Sequence, residues 1–262
     1  MKVGILSAVP TCGKTTLMEL LAAVFTISQR RTAALFSTGD LSDLKDSVEL
    51  QDIDAKPKTD IIRTMIEASA GDKLLLDYGT RIGMENVFLY DVLGVEMEEE
   101  DKAEFLKKAV NAIPVDLTIV EFTGDLTSVV NQEVFKEMDC CFYLVPTSWK
   151  AIHTYVETLE KMPVCPARYN NKVVAAMIDA RSISDKKFAQ LCGTKIEEII
   201  RYPEIDLIPK EALAVHLDAI AQKIVVGDAQ YVTLRTPFFE MMTYIYDSKD
   251  YKIIRPIEKW YR

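Results

Sequence analysis

Short apolar, β-branched runs alternate with amphipathic stretches along most of this chain, and that alternation constrains the fold more than any single residue does. The runs are Val3–Leu6, Ala33–Phe36, Val87–Tyr90, Leu117–Phe122, Cys140–Val145 and Val173–Ile178. Between them lie Thr15–Gln29, Lys58–Ala70, Asp101–Ala112, Ser128–Lys136, Ile152–Lys161 and Asp185–Leu191. Strands that read as continuous apolar runs are buried on both faces, as in parallel sheets. The pattern predicts an α/β fold, a mostly parallel sheet with helices on both faces. Right-handed crossovers then bring the C-terminal end of each strand to one edge, where ligands bind in such folds.

The first run leads into Ser7-Ala-Val-Pro-Thr-Cys-Gly-Lys-Thr-Thr16, and the apolar periodicity of Leu17, Leu20, Leu21 and Val24 follows. Strand, loop and helix in this order are the context of a nucleotide P-loop. Backbone N–H groups of Ala8, Val9, Pro10-flanking Thr11, Cys12, Gly13, Lys14, Thr15 and Thr16 are candidates to wrap phosphates at the helix N-terminus. Lys14 is placed to reach the β and γ oxygens, and the Thr15 hydroxyl to hold Mg²⁺. The first glycine of the G-x-x-x-x-G-K-[ST] pattern is replaced by Ala8. A methyl at that turn makes positive φ less comfortable.

Further candidates follow the later strands. Asp40, in Ser37-Thr38-Gly39-Asp40, is placed to orient an attacking water or assist Mg²⁺, with Asp43 as the alternative; a turn and a helix cap at Ser42 or Asp43 is the competing reading. Glu121-Phe122-Thr123-Gly124 has the spacing of an Asp-x-x-Gly switch with glutamate for aspartate: Glu121 would support the metal and the Gly124 N–H would meet the γ-phosphate. An acid ending so apolar a run is costly without a partner, which favours a functional role. Asp125 is a candidate cap for the next helix. Asp179 and Arg181 are candidates for contact with a nucleobase, and Pro209, after the short apolar Ile205–Ile208, for packing on it. His153 and His216 sit on helical patterns without metal spacing and read as ordinary helix residues.

Composition limits the partners. The net charge of -9 argues against general affinity for nucleic acid, which needs a basic surface. Apolar content is 49%, yet no run approaches the roughly 18 residues of a membrane span, and the N-terminus has no signal-peptide pattern, so a cytoplasmic location is expected. The 5 cysteines lack metal spacing; Cys140 and Cys141 lie in an apolar run and are expected as reduced packing residues on opposite strand faces. The acidic run Glu96–Asp101 reads as a solvated helix start. Nothing in the 262 residues reads as a linker, which leads to the expectation of a single domain, 1–262, with a C-terminal helical segment and tail from about 236 to 262.

Taken together these pieces resemble the ParA/MinD family of deviant P-loop ATPases, which includes the pilus-positioning TadZ/CpaE proteins. The resemblance is carried by Gly13-Lys14-Thr15-Thr16, the Asp40 switch, Gly83–Leu89, Asp116–Gly124, Met138-Asp139-Cys140-Cys141 leading to Pro146-Thr147-Ser148, and Ile208-Pro209. It implies a SIMIBI-like P-loop NTPase, ATP and Mg²⁺ as ligands, and an ATP-dependent homodimer that a protein partner recognises. The family's signature lysine, which crosses to the partner's phosphates, falls on Val9, and its two glycines on Pro10 and Thr11. An asparagine expected near the base is Asp179. The missing cation implies slow or absent hydrolysis, with the nucleotide acting as a dimerisation ligand in a spatial switch for partition or positioning. Two alternatives remain at this point: a small-molecule enzyme similar to dethiobiotin synthetase, and a degenerate scaffold without catalysis. MinD relatives carry a C-terminal membrane-targeting helix, but Pro256 interrupts any helix in this tail, which favours core docking or a partner contact over a membrane contact.

Overall fold

The computed structural model describes residues 1–10, 12–39, 64, 66, 75–82, 84–90, 97–161, 170–176, 183–196, 199–202 and 210–247. In chain order its elements are β1 (Lys2–Leu6), α1 (Lys14–Gln29), β2 (Ala33–Ser37), α2 (Leu75–Tyr78), β3 (Thr80–Arg81), β4 (Val87–Leu89), α3 (Glu99–Ala112) and β5 (Leu117–Glu121). They continue with α4 (Val129–Phe135), β6 (Cys140–Pro146), α5 (Trp149–Lys161), β7 (Asn170–Ala176), α6 (Asp185–Cys192), β8 (Ile199–Tyr202), α7 (Lys210–Val226) and α8 (Val232–Asp247).

The strands form one 8-stranded sheet in the order β3-β4-β2-β5-β1-β6-β7-β8. All pairings are parallel except that of β3 with β4. The chain leaves β1 toward β2 on one side and later returns past it to β6 on the other. The strand order therefore reverses at β1, and the crevice at such a reversal is where open α/β sheets bind ligands.

Alternation along each strand divides the core between two faces. Val3 and Ile5 of β1, Ala33 and Leu35 of β2, Leu117 and Ile119 of β5, and Cys140, Phe142 and Leu144 of β6 pack with α1, α7 and α8. Leu6, Ala34, Phe36, Val120, Cys141, Tyr143 and Val145 pack with α3, α4, α5 and α6. Cys140 and Cys141 thus lie on opposite faces, both as thiols outside any disulfide and fully buried, as their place in an apolar run requires. Covering the sheet on both sides buries β2, β4, β5 and β6 completely, which is why they read as unbroken apolar runs.

The sequence-derived strands and helices match the structure within a few residues at each end wherever they are described. Of Lys58–Ala70, Thr64 and Ile66 are described, both helical, with Ile66 buried. Asp40, Asp43, Asp179, Arg181, the run Ile205–Pro209 and the tail after Asp247 lie outside the described residues. The acidic run starts α3, with Glu99, Glu100 and Asp101 in its first turn, where carboxylates are favoured by the helix dipole. The C-terminal segment forms α8 from Val232 and packs on the sheet: Leu234, Phe238, Met241, Met242 and Ile245 are buried, and Phe238 meets Tyr202 edge-on at 5.7 Å. His153 is exposed on α5 beside Glu157, and exposed His216 marks a kink in α7 with φ -133°.

Candidate active site at the head of the first helix

The loop after β1 ends in Gly13, whose φ of 85° lies in the left-handed region, and α1 starts at the next residue. Gly13 makes this turn at no steric cost, whereas a side chain there is strained. Ala8 is not at positive φ; among the described residues Arg30 alone of the non-glycines is. The methyl of Ala8 therefore costs the loop no backbone strain, contrary to the expectation. Val9 is half-buried, and its N–H donates to Ser7 Oγ at 3.2 Å. Pro10 is exposed, Cys12, Gly13, Lys14 and Thr15 are half-buried, and Thr16 is buried. Thr11 lies outside the described residues.

Strand parity delivers the acid. Leu117 and Ile119 face α1, so Glu121, two residues on, faces α1 as well. Register sets it beside Ile5 of β1 and Ser37 of β2, at the end of the sheet where α1 begins. Glu121 is 5% exposed, and both of its oxygens accept from the Thr15 hydroxyl, at 3.0 and 2.9 Å. A hydroxyl and a carboxylate held together at a helix N-terminus are hard oxygen donors of the kind Mg²⁺ takes, with waters and substrate phosphates completing its shell. The residues present fit that ion: Thr15 and Glu121 would hold it, and when bound it would neutralise phosphate charge. Among the described residues no group of three or more His, Cys, Asp or Glu side chains gathers as a metal site.

The loops after β2 and β5 are stitched together beside this pair. Thr38 N–H donates to the Glu121 carbonyl at 3.0 Å, and Thr123 N–H to Thr38 Oγ1 at 3.0 Å. Gly39 N–H donates to Ser37 Oγ, and a Cβ on Gly39 would lie 2.0 Å from Thr123 Oγ1. Beyond Thr123 the chain turns at Gly124, with φ 65°. Asp125 does not cap α4. Ser128 does, accepting from Asn131 N–H at 3.3 Å, while the Asp125 carboxylate closes a local turn by accepting from Thr127 Oγ1 and N–H. The Thr127 hydroxyl first, and then its N–H, hold the Asp125 carboxyl below its ordinary range.

A ParA family ATPase from Chlorobium tepidum TLS is similar with a TM-score of 0.63 and 15% identity, over 91% of this chain and 98% of that one. The fold is that of the ParA/MinD ATPases. The septum site-determining protein MinD from Pyrococcus horikoshii OT3, complexed with Mg-ADP, is similar with a TM-score of 0.61 and 15% identity, over 92% of this chain and 95% of that one. A plasmid partition protein from Borrelia burgdorferi B31 bound to AMPPNP gives 0.57 and 12%, over 92% and 97%. No family model and no curated protein matches the sequence. The ParA/MinD fold is thus visible in the backbone while the sequence has diverged.

The Thr38–Thr123 stitch had no sequence signal, because a Thr in a loop reads as a solvated position.

Proposed function

We propose that this chain is an Mg²⁺·ATP-dependent positioning switch, in which nucleotide binding at Gly13–Thr16 closes two copies face to face and the dimer is recognised by a protein partner. The observation that carries the reading is the buried Glu121 carboxylate paired with the Thr15 hydroxyl at the head of α1, within a ParA/MinD fold. Residues Ala8 to Thr16 would cradle the phosphates, with Lys14 as the loop's cation and Thr15 and Glu121 as the metal's protein ligands. Asp40 would orient the attacking water, the Gly124 N–H would meet the γ-phosphate, and Asp179, Arg181 and Pro209 would contact the base.

Lys14 is the one charged residue in Ser7–Thr16, so a site built from this loop has no second cation at Val9. Loss of a charge contact to a phosphoryl transition state slows transfer, and slow hydrolysis makes ATP chiefly a ligand that shifts a monomer–dimer equilibrium. The sheet edge that carries the loop also exposes apolar groups: Pro10, Val129 at the start of α4 and Trp149 at the start of α5, 40% and 62% exposed for the last two. Such residues suit a face that closes on a second copy. Partition and septum positioning, the roles named for the similar proteins, are the class of task proposed here. The acidic charge favours a protein partner over nonspecific DNA, and a cytoplasmic site of action is part of the same proposal.

Light scattering on a size-exclusion column tests this, with Mg²⁺ and either AMPPNP, ADP or no nucleotide. A dimer with AMPPNP alone is expected; a monomer in all three conditions contradicts the switch.

A further inference from the structure

One side chain holds the loop that follows Glu121. Asn131, in the first turn of α4 and 3% exposed, donates one amide hydrogen to the Thr123 carbonyl and the other to the Asp125 carbonyl, both at 2.8 Å. These carbonyls flank Gly124. Gly124 is exposed, sits at φ 65°, and makes no hydrogen bond among the described residues. The Asn131 Oδ1 is buried without a hydrogen-bond partner among the described residues, although an unmet acceptor costs about 1–3 kcal/mol. Both donors, by contrast, are spent on the loop.

The covalent geometry turns this clamp into an aiming device. In a trans peptide the C=O and the following N–H point in opposite directions. Holding the Thr123 carbonyl against Asn131 therefore turns the Gly124 N–H away from α4, into the open. Ser128 Oγ fixes the base of the clamp by accepting from Asn131 N–H, and Thr38 Oγ1 fixes the other side of Thr123 by accepting from its N–H. Positive φ at Gly124 lets the chain turn between the two clamped carbonyls.

We infer that Asn131 is a positioning residue that presents the Gly124 N–H to the terminal phosphate of a bound nucleoside triphosphate. The inference rests on the nucleotide-switch reading above and deepens it: Asn131 sets discrimination between triphosphate and diphosphate. Loss of the clamp frees the peptide to rotate, and the γ-phosphate loses a donor that a diphosphate never uses.

Calorimetry with Mg²⁺ and either AMPPNP or ADP, on wild type, Asn131→Leu and Asn131→Ala, tests it. Both variants should weaken AMPPNP by about tenfold to a hundredfold while ADP stays within about twofold, since a hydrogen bond to a charged group is lost for one ligand alone. Equal weakening of both nucleotides, or of neither, overturns the inference and leaves the nucleotide site standing. A wild-type chain that binds neither nucleotide overturns the site and the inference together. If neither variant folds, the wild-type protein decides by NMR: the Gly124 amide proton should shift on adding AMPPNP and keep its nucleotide-free position with ADP, and identical positions with the two nucleotides overturn the proposal.

Discussion

The Thr15 hydroxyl donates to both carboxylate oxygens of Glu121, at 3.0 and 2.9 Å, and so joins the head of α1 to the end of β5. The pair exists because β5 places every second residue on the α1 face and ends as α1 begins. Glu121→Gln keeps an acceptor for Thr15 and removes the charge. Its expected effect is on the metal: the gain in ATP affinity on adding Mg²⁺ should fall by about tenfold or more, as for loss of a charged ligand contact, with affinity in EDTA unchanged. Titrations with and without Mg²⁺ check this, and an unaltered Mg²⁺ dependence rejects Glu121 as a ligand.

Gly39→Ala should destabilise the folded chain. The new Cβ would lie 2.0 Å from Thr123 Oγ1, and relieving such an overlap costs about 1–3 kcal/mol. Thr123→Ala in the same chain removes the obstructing oxygen, so the double variant should recover part of the loss. Urea unfolding of the singles and the double gives the coupling; strict additivity would show that the two loops do not meet at this point.

Trp149→Ala should weaken nucleotide-dependent dimerisation while leaving nucleotide affinity of the monomer alone. Trp149 is 62% exposed at the start of α5, outside the core. Exposed aromatic groups dominate interface energetics, and truncating one commonly costs about 2 kcal/mol or more of association. Sedimentation velocity with AMPPNP checks the dimer, and calorimetry the affinity.

Stability should fall in mild alkali. Burial pushes the Cys192 thiol up to about 12 from its ordinary 9.0, and burial, then the neighbouring Cys140, also raises Cys141 well above that ordinary value. The folded chain keeps these thiols protonated where the unfolded chain ionises them. Between pH 9.0 and about 12 the unfolded state binds fewer protons, so the stabilisation present below 9.0 is lost progressively as pH rises. Urea midpoints across that range should decline, and Cys192→Ala should flatten the decline; an unchanged slope would assign it to other groups.

The central strands were legible because burial on both faces leaves a continuous apolar run, as in Leu117–Val120 and Cys140–Val145. Glu121 was legible for the same reason, a charge ending such a run. The edge was not: β3 is Thr80–Arg81 alone, partly exposed, and β8 is Ile199–Tyr202, whose Arg201 is exposed. Short edge strands have too few residues to establish a period. Helix α7 was read only as the helical pattern around His216, without bounds; its kink at His216 breaks the helical phase. At the site, Ala8 was read as making positive φ less comfortable because the motif carries glycine there, yet the backbone at Ala8 has no positive φ. Asn131 was invisible because its two acceptors are main-chain carbonyls, which carry no side-chain signature.

Calorimetric titration of Mg²⁺·ATP into the wild-type chain and into Lys14→Ala tests the central claim most directly. The predicted result is saturable binding at one site per chain, lost in Lys14→Ala at unchanged thermal stability. No binding by the wild type, or equal binding by both, would contradict a nucleotide site at the head of α1.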